Sequence, residues 1–267
     1  MTTRPSAFPI RRPFLPLAIA VAPLVASSPA GANDFCFFAT PYEVQNSPSC
    51  VVQADFNGDS RLDLVVANHE VGQDTISVLI NNGDGTFAAA VNYPVLGRPY
   101  WLGTGDLDGD LDADVVVSNY FGHTVSVLLN DGSGALGAAT DYPVGFFPTI
   151  LALARLDGDD SLDIAVASAA DATVAVLLNN GDGTYLPPAF HPVGINPYGV
   201  TADDFDGDGF VDLAVANYDP AIPSISVLHN IGDGTFADQV LVPVADAPVG
   251  IASADLDGDG RPELVVT

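Results

Sequence analysis

An acidic nine-residue loop returns five times along this chain at an interval of about 50 residues, starting at Asp55, Asp106, Arg155, Asp204 and Asp255. A proline stands seven residues ahead of every loop: Pro48, Pro99, Pro148, Pro197 and Pro248. Each loop separates a short strand pattern from an apolar run such as Leu64–Ala67 or Val115–Val117, whose continuity predicts a strand covered on both faces. A β-branched segment follows, as in Thr75–Ile80, Thr124–Leu129, Thr173–Leu178 and Ser224–Leu228. Glycine-rich turns such as Asn82–Thr86 and Asn180–Thr184 then lead to a fourth strand, expected over Phe87–Val95 and its equivalents. Four strands per repeat, without an amphipathic helix after residue 32, predict an all-β propeller of four-stranded antiparallel blades.

The count gives four complete blades and parts of a fifth. Residues 37–44 align with a fourth strand and residues 250–267 with a first and second, so the two ends together predict a three-stranded blade. Two arrangements remain open: a five-bladed ring closed by its ends, or a piece of a larger ring, with seven blades as the expected size. An ending inside a second strand, at Thr267, favours truncation.

The loops carry oxygen donors at positions 1, 3, 5 and 9 around a tight glycine turn, the pattern suited to a hard cation of flexible coordination, calcium. The side-chain donors are Asp55, Asn57, Asp59 and Asp63; Asp106, Asp108, Asp110 and Asp114; Asp204, Asp206, Asp208 and Asp212; and Asp255, Asp257, Asp259 and Glu263. Position 7 offers the backbone carbonyls of Arg61, Asp112, Phe210 and Arg261. An EF-hand is excluded, because its twelfth position is held here by Val66, Val117, Val215 and Val266 within strand patterns. The third loop keeps Asp157, Asp159 and Asp163 but begins with Arg155, whose guanidinium is expected to pair with one of those carboxylates and replace the ion. About four calcium sites result.

The formal charge is -27, lysine is absent, and after residue 32 only Arg61, Arg98, Arg155 and Arg261 face the 34 acids. Such a surface repels phosphate backbones and anionic headgroups, which argues against nucleic acid and membrane partners. Residues 1–32 have the layout of a removable signal peptide: a basic start, an apolar run from Phe14 to Ala26 and Ala30-Gly-Ala32 as the cleavage site. Arg11-Arg12 leaves both the general and the twin-arginine export routes open. The mature domain, 33–267, is thus expected to be periplasmic or extracellular, without membrane insertion. There Cys36 and Cys50 are expected to form a disulfide, closing a loop worth about 3 kcal/mol.

In its loops, strands and in-phase Asn-Gly-Asp-Gly-Thr turns, the chain over residues 37–267 resembles the FG-GAP and VCBS repeats found in the integrin α-subunit propeller and in secreted bacterial proteins. The resemblance implies calcium in the loop between a blade's first and second strands. Ala67-Asn68 replaces the Gly-Ala-Pro of a true integrin blade, so the VCBS form fits better.

In an up-and-down blade the acidic loops and the glycine turns share one face, leaving the other free. That free face is expected to carry Arg98, Tyr100, Trp101, Tyr120, His123, Tyr198 and Tyr218, together with His69, Phe121, Phe146 and Phe147. Aromatics among amides and carboxylates suit a glycan, or a protein at the cell surface, although the same side chains serve equally well as packing between blades. The reading is a non-catalytic interaction or adhesion module. The alternatives are a propeller-type polysaccharide lyase or hydrolase using His69 or His123 with Tyr120 or Arg98, or the non-catalytic part of a larger exported enzyme. Of the remaining histidines, His191 and His229 fall on strand patterns and read as structural.

Overall fold

The computed structural model describes residues 19–21 and 40–267, all of whose regular elements are strands. Four antiparallel meanders form four blades. Blade one holds β3 (Pro48–Ala54), β4 (Asp63–Asn68), β5 (Thr75–Leu79) and β6 (Val91–Pro94), paired in that order. Blade two repeats this with β7 (Pro99–Gly105), β8 (Asp114–Asn119), β9 (Thr124–Leu128) and β10 (Thr140–Pro143). Blade three has β11 (Pro148–Ala154), β12 (Asp163–Ser168), β13 (Thr173–Leu177) and β14 (Ala189–Pro192). Blade four has β15 (Pro197–Asp203), β16 (Asp212–Asn217), β17 (Ser224–Leu228) and β18 (Val240–Pro243). The fourth strands are shorter than expected. Phe87 and its equivalents make only an isolated bridge, to Asn81 in blade one, before the ladder resumes at Val91.

Two two-stranded sheets stand at the ends: β1 (Ile19–Val21) with β2 (Thr40–Tyr42), and β19 (Ile251–Ala254) with β20 (Glu263–Val266). Among the described residues the three-stranded blade expected from joining the ends is not formed: β2 takes its ladder partner from residues 19–21. The alignment of the 37–44 segment with a fourth strand nevertheless has a geometric counterpart. Tyr42 packs edge-on against Phe87 of blade one, 5.4 Å between centroids, just as Tyr142 meets Tyr185 and His191 meets Phe236 of the following blade. The signal peptide, apart from its residues 19–21, and Cys36 lie outside the described residues.

Second strands are the hydrophobic centre of every blade. β8, β12 and β16 are buried at all six positions, so side chains on both sheet faces find a neighbouring blade. Each core cluster spans a blade boundary: Val65, Ala67 and Ile76 of blade one pack with Leu102, Val115 and Val117 of blade two. Leu151, Ile164 and Val166 of blade three likewise join Val116, Val125 and Val127 of blade two. At about 1.5–3 kcal/mol for each fully buried Val or Leu, these boundaries supply the main attraction between blades.

The repeated proline opens each innermost strand with a β-bulge, between Pro48 and Cys50, Pro99 and Trp101, Pro148 and Leu151, and Pro197 and Gly199. The bulge re-aims the residue after the proline. Ser49 Oγ donates to the carbonyl of Tyr100 at 2.8 Å, and Thr149 Oγ1 to that of Tyr198 at 2.8 Å, tying first strands of neighbouring blades together. The residue before each proline, Ser47, Arg98, Phe147 or Asn196, has φ of 55–59°. This left-handed conformation is held by one repeated bond: its carbonyl accepts the N–H of His69, Tyr120, Ala169 or Tyr218, which follows the second strand.

Candidate functional site

The acidic loops wind themselves with successive side-chain-to-backbone turns. At position 5 the N–H donates to the position-3 side chain, and at position 7 the N–H donates to the position-5 carboxylate, in all five loops. Position 1 adds a clamp. Asp106, Asp204 and Asp255 accept the N–H groups of positions 4 and 6, while Asp55 takes those of positions 5 and 6.

Position 9 does something the spacing does not announce. Asp114 is fully buried and receives the N–H of Leu107 at 2.8 Å on one oxygen and that of Asn130 at 2.7 Å on the other. Asp63, Asp163 and Asp212 repeat both bonds. The asparagine so held reaches back to the preceding blade: Asn130 donates to the carbonyl of Phe56, Asn179 to Leu107 and Asn230 to Leu156, at 2.7–2.8 Å. The acidic loop is therefore a strap between blades, and its apolar second residue, Phe56, Leu107 or Leu156, is the buried anchor.

Carboxylates gathered this closely fit a divalent cation. Asp106, Asp108 and Asp114, then Asp204, Asp206 and Asp208, then Asp255, Asp257 and Asp259 each place three ligand oxygens within 4.8 Å of one another. Burial pushes Asp114 and Asp163 up to about 6, and their acidic neighbours add to the rise. Asp108 rises for the same two reasons. In the first loop desolvation works to raise the Asp59 carboxyl, but the Asn57 amide bonded to it and then Arg61, whose backbone N–H and guanidinium both reach it, the latter at 2.6 Å, hold it below its usual range. The third loop corrects one expectation: Arg155 forms no ion pair with Asp157, Asp159 or Asp163 among the described residues, and its Nε donates to the carbonyl of Asp160 at 2.9 Å. Lacking a position-1 acceptor, that loop is clamped through the backbone.

The fourth loop is approached by a residue that the periodic reading placed on a strand as structural. His229 follows β17 and brings Nδ1 to 3.3 Å from Asp206 and 3.4 Å from Asp212. Its counterparts Ile80, Leu129 and Leu178 are apolar, which was the available signal.

On the opposite face the second-to-third turns and the fourth-to-first connections gather an aromatic belt. Tyr100 lies between His69 and Tyr120, with centroids 5.5 and 5.6 Å away. Tyr120 stacks on Phe147 at 5.0 Å and contacts Phe121, while His123 sits edge-on to both Phe146 and Phe147. Arg98 lies 4.7 Å over the Phe121 ring. The hydroxyls of Tyr100 and Tyr198 hydrogen-bond to each other, joining blades two and four. Burial first, and then that bond, push the Tyr100 hydroxyl above its ordinary range. Phe121 and Phe146 are about half exposed, 49% and 55%, so the belt presents aromatic surface to solvent.

Of the seven residues expected here, Arg98, Tyr100, Tyr120, His123 and Tyr198 come together. Trp101 does not: beyond the bulge it turns the other way from Tyr100 and packs, half-buried, against the core between blades two and three. Tyr218 is exposed in blade four and has no aromatic partner among the described residues. His191, as expected for a structural residue, packs on Phe236, and burial lowers its pKa.

Repeated four-stranded blades with an acidic loop between first and second strands define a β-propeller of repeat type. The chain belongs to the FG-GAP-like repeat family, with repeats at residues 55–117, 106–166, 155–215 and 204–266. Among solved structures it is similar to a proposed 6-phosphogluconolactonase from Bacteroides uniformis: 18% identity, 86% of this chain and 67% of that one, TM-score 0.60. It is similar also to BBS1N in its complex with ARL6DN: 12% identity, 86% and 67% coverage, TM-score 0.59. Both likenesses show the fold alone. An Agrocybe aegerita lectin that recognises non-reducing terminal N-acetylglucosamine shares 25% identity over 72% of this chain, at TM-score 0.48. This chain spans about half of the lectin, 51% of its length, and 12% of a Photorhabdus luminescens Tc toxin chain that it also resembles. No curated protein matches the chain in sequence.

Proposed function

We propose that this propeller is a secreted, non-catalytic interaction module: calcium in the acidic loops stiffens one face, and the aromatic belt on the other takes a glycan or a cell-surface protein. The observation that carries the reading is the belt itself. Half-exposed Phe121 and Phe146 flank Tyr120, Phe147 and His123, and exposed aromatic surface of this kind suits the apolar faces of sugars. Arg98, over the Phe121 ring, lies beside them and can orient polar groups.

The non-catalytic reading is supported by how the histidines are engaged. His69 places Nδ1 3.1 Å from the carbonyl of Pro99, and His123 Nδ1 accepts the N–H of Phe147 at 3.2 Å. Both rings thereby serve as joints between blades. Burial, aided by the Arg98 charge, also lowers the pKa of His69, which favours a neutral, packed ring.

Asp106, Asp108, Asp110 and Asp114, with their counterparts in the first, fourth and fifth loops, would hold the ion. When bound it neutralises the crowded carboxylates. The chain's own asparagine straps carry that rigidity from blade to blade. At an ion concentration ten times Kd the gain is about 1.4 kcal/mol per site.

Two measurements test the proposal. EDTA is expected to lower the melting temperature and calcium to restore it, and a curve unmoved by either removes calcium from the reading. On a glycan array the unmodified chain is expected to bind without releasing product, and Phe121→Ala with Tyr120→Ala is expected to abolish that binding. Unchanged array binding by that double variant would remove the belt.

A further inference from the structure

We propose that the fourth acidic loop is a mixed nitrogen–oxygen site for a transition-metal ion of the zinc class, held by Asp206, Asp212 and His229. The inference goes beyond calcium binding and stands whether or not the other loops take calcium.

The three ligand atoms lie within 4.8 Å of one another. His229 Nδ1 is buried and has no hydrogen-bond partner. Its distances, 3.3 Å to Asp206 Oδ2 and 3.4 Å to Asp212 Oδ2, are long for a charge-assisted hydrogen bond, which closes to about 2.7–2.9 Å. They are the separations that tetrahedral coordination requires: metal–ligand bonds of about 2.0–2.1 Å put neighbouring donors about 3.3–3.4 Å apart. An imidazole nitrogen among carboxylates shifts preference away from calcium, which takes oxygen, towards zinc and its neighbours.

Support around the site differs ligand by ligand. Asp212 is fully buried and fixed by the N–H of Asn230 at 2.8 Å and of Phe205 at 3.2 Å, so one ligand is preorganised. Asp206 and His229 have side chains 41% and 36% exposed, leaving an open side for a water ligand. Asp206 and Asp212 also belong to the oxygen set proposed for calcium in this loop, so the two ions would compete for both carboxylates and zinc would displace calcium here. Blades one to three cannot repeat the arrangement. Ile80, Leu129 and Leu178 occupy the position of His229 and pack against the glycine turn of the next blade so closely that a Cβ added at Gly134, Gly183 or Gly234 would meet them at 2.7–2.8 Å.

The test uses the full chain after chelation, with zinc by calorimetry and cobalt(II) by visible absorption. One equivalent of zinc is expected to bind and to resist an excess of calcium, with a cobalt spectrum of four-coordinate nitrogen–oxygen type. His229→Leu, which copies Leu129 and Leu178, is expected to weaken zinc by more than about tenfold, since losing even an outer-shell partner of a metal ligand costs that much, with the circular dichroism spectrum unchanged. His191→Leu is expected to bind as the unmodified chain does. Should His229→Leu fail to fold, His229→Gln and the imidazole proton resonances of the unmodified protein give the same answer, because zinc must shift the His229 signals first. Zinc affinity unchanged in the His229 variants, no stoichiometric uptake, or unmoved His229 resonances would each overturn the proposal.

Discussion

Replacing Asn179 by alanine isolates the strap between blades, because blade one contains its own control. Asn179 is buried, accepts the N–H of Gly181 at 2.9 Å, and donates to Leu162 of its own blade at 3.1 Å and to Leu107 of the preceding blade at 2.8 Å. Asn81 makes the same two bonds within its blade, to Gly83 and Leu62, but none to another blade among the described residues. Losing the shared, partly exposed bonds costs each variant about 1 kcal/mol. Asn179→Ala also removes the bond to Leu107, about 1 kcal/mol. It leaves a buried carbonyl unpaired as well, about 1–3 kcal/mol more. Asn179→Ala should therefore be destabilised by about 3–5 kcal/mol and Asn81→Ala by about 1 kcal/mol, a difference of at least about 2 kcal/mol. Asn179→Asp should be no better than alanine, since a carboxylate oxygen would face the Leu107 carbonyl. Urea unfolding of the chelated proteins, followed by tyrosine fluorescence, measures the difference. Equal losses for Asn81→Ala and Asn179→Ala, within about 0.5 kcal/mol, would refute the strap, and blade cohesion would then rest on apolar packing alone.

Two further outcomes follow from the same geometry. In the metal-free protein Asp114 and Asp163 have folded pKa values raised to about 6, so the folded state binds their protons more tightly than the unfolded state does. Their contribution is full below the unfolded value near 4 and is lost as pH rises through about 6. Asp84, Asp131, Asp182 and Asp233, each accepting from a Thr or Ser two residues on, are shifted downward, and their contribution disappears on further acidification. Thermal melts in EDTA should thus peak between about pH 4 and 6, and a peak at pH 7 or above would contradict this. Ala172 has φ of 52° without a polar side chain to favour it, so Ala172→Gly should stabilise by about 1 kcal/mol and raise Tm by about 2–4 °C, measured by calorimetry. A lower Tm would show that its methyl group does more than strain the turn.

Much of this molecule is legible in its sequence, because the signals for a blade are local and repeat. The proline, the acidic loop, the β-branched third strand and the glycine turn each specify backbone within a few residues. In-phase recurrence then leaves a stack of antiparallel sheets as the arrangement that buries second strands such as β8 and β12 on both faces. The sequence also marks the third loop as the odd one, since Arg155 stands where an acceptor is required.

Tertiary structure alone decided which partners the polar groups choose. Asn130 and Phe56 are separated by 74 residues, and no local pattern predicts that an asparagine after one third strand caps the loop of the blade before it. Tyr100 and Trp101 are neighbours of like character, yet across a one-residue bulge one goes to the aromatic belt and the other packs against the core. His229 reads as a strand residue until the fold closes Asp206 and Asp212 around its ring nitrogen. Periodicity determines local backbone because propensity and patterning act over a few residues. The donors that meet across a blade boundary are set by packing, which joins residues that the chain itself keeps far apart.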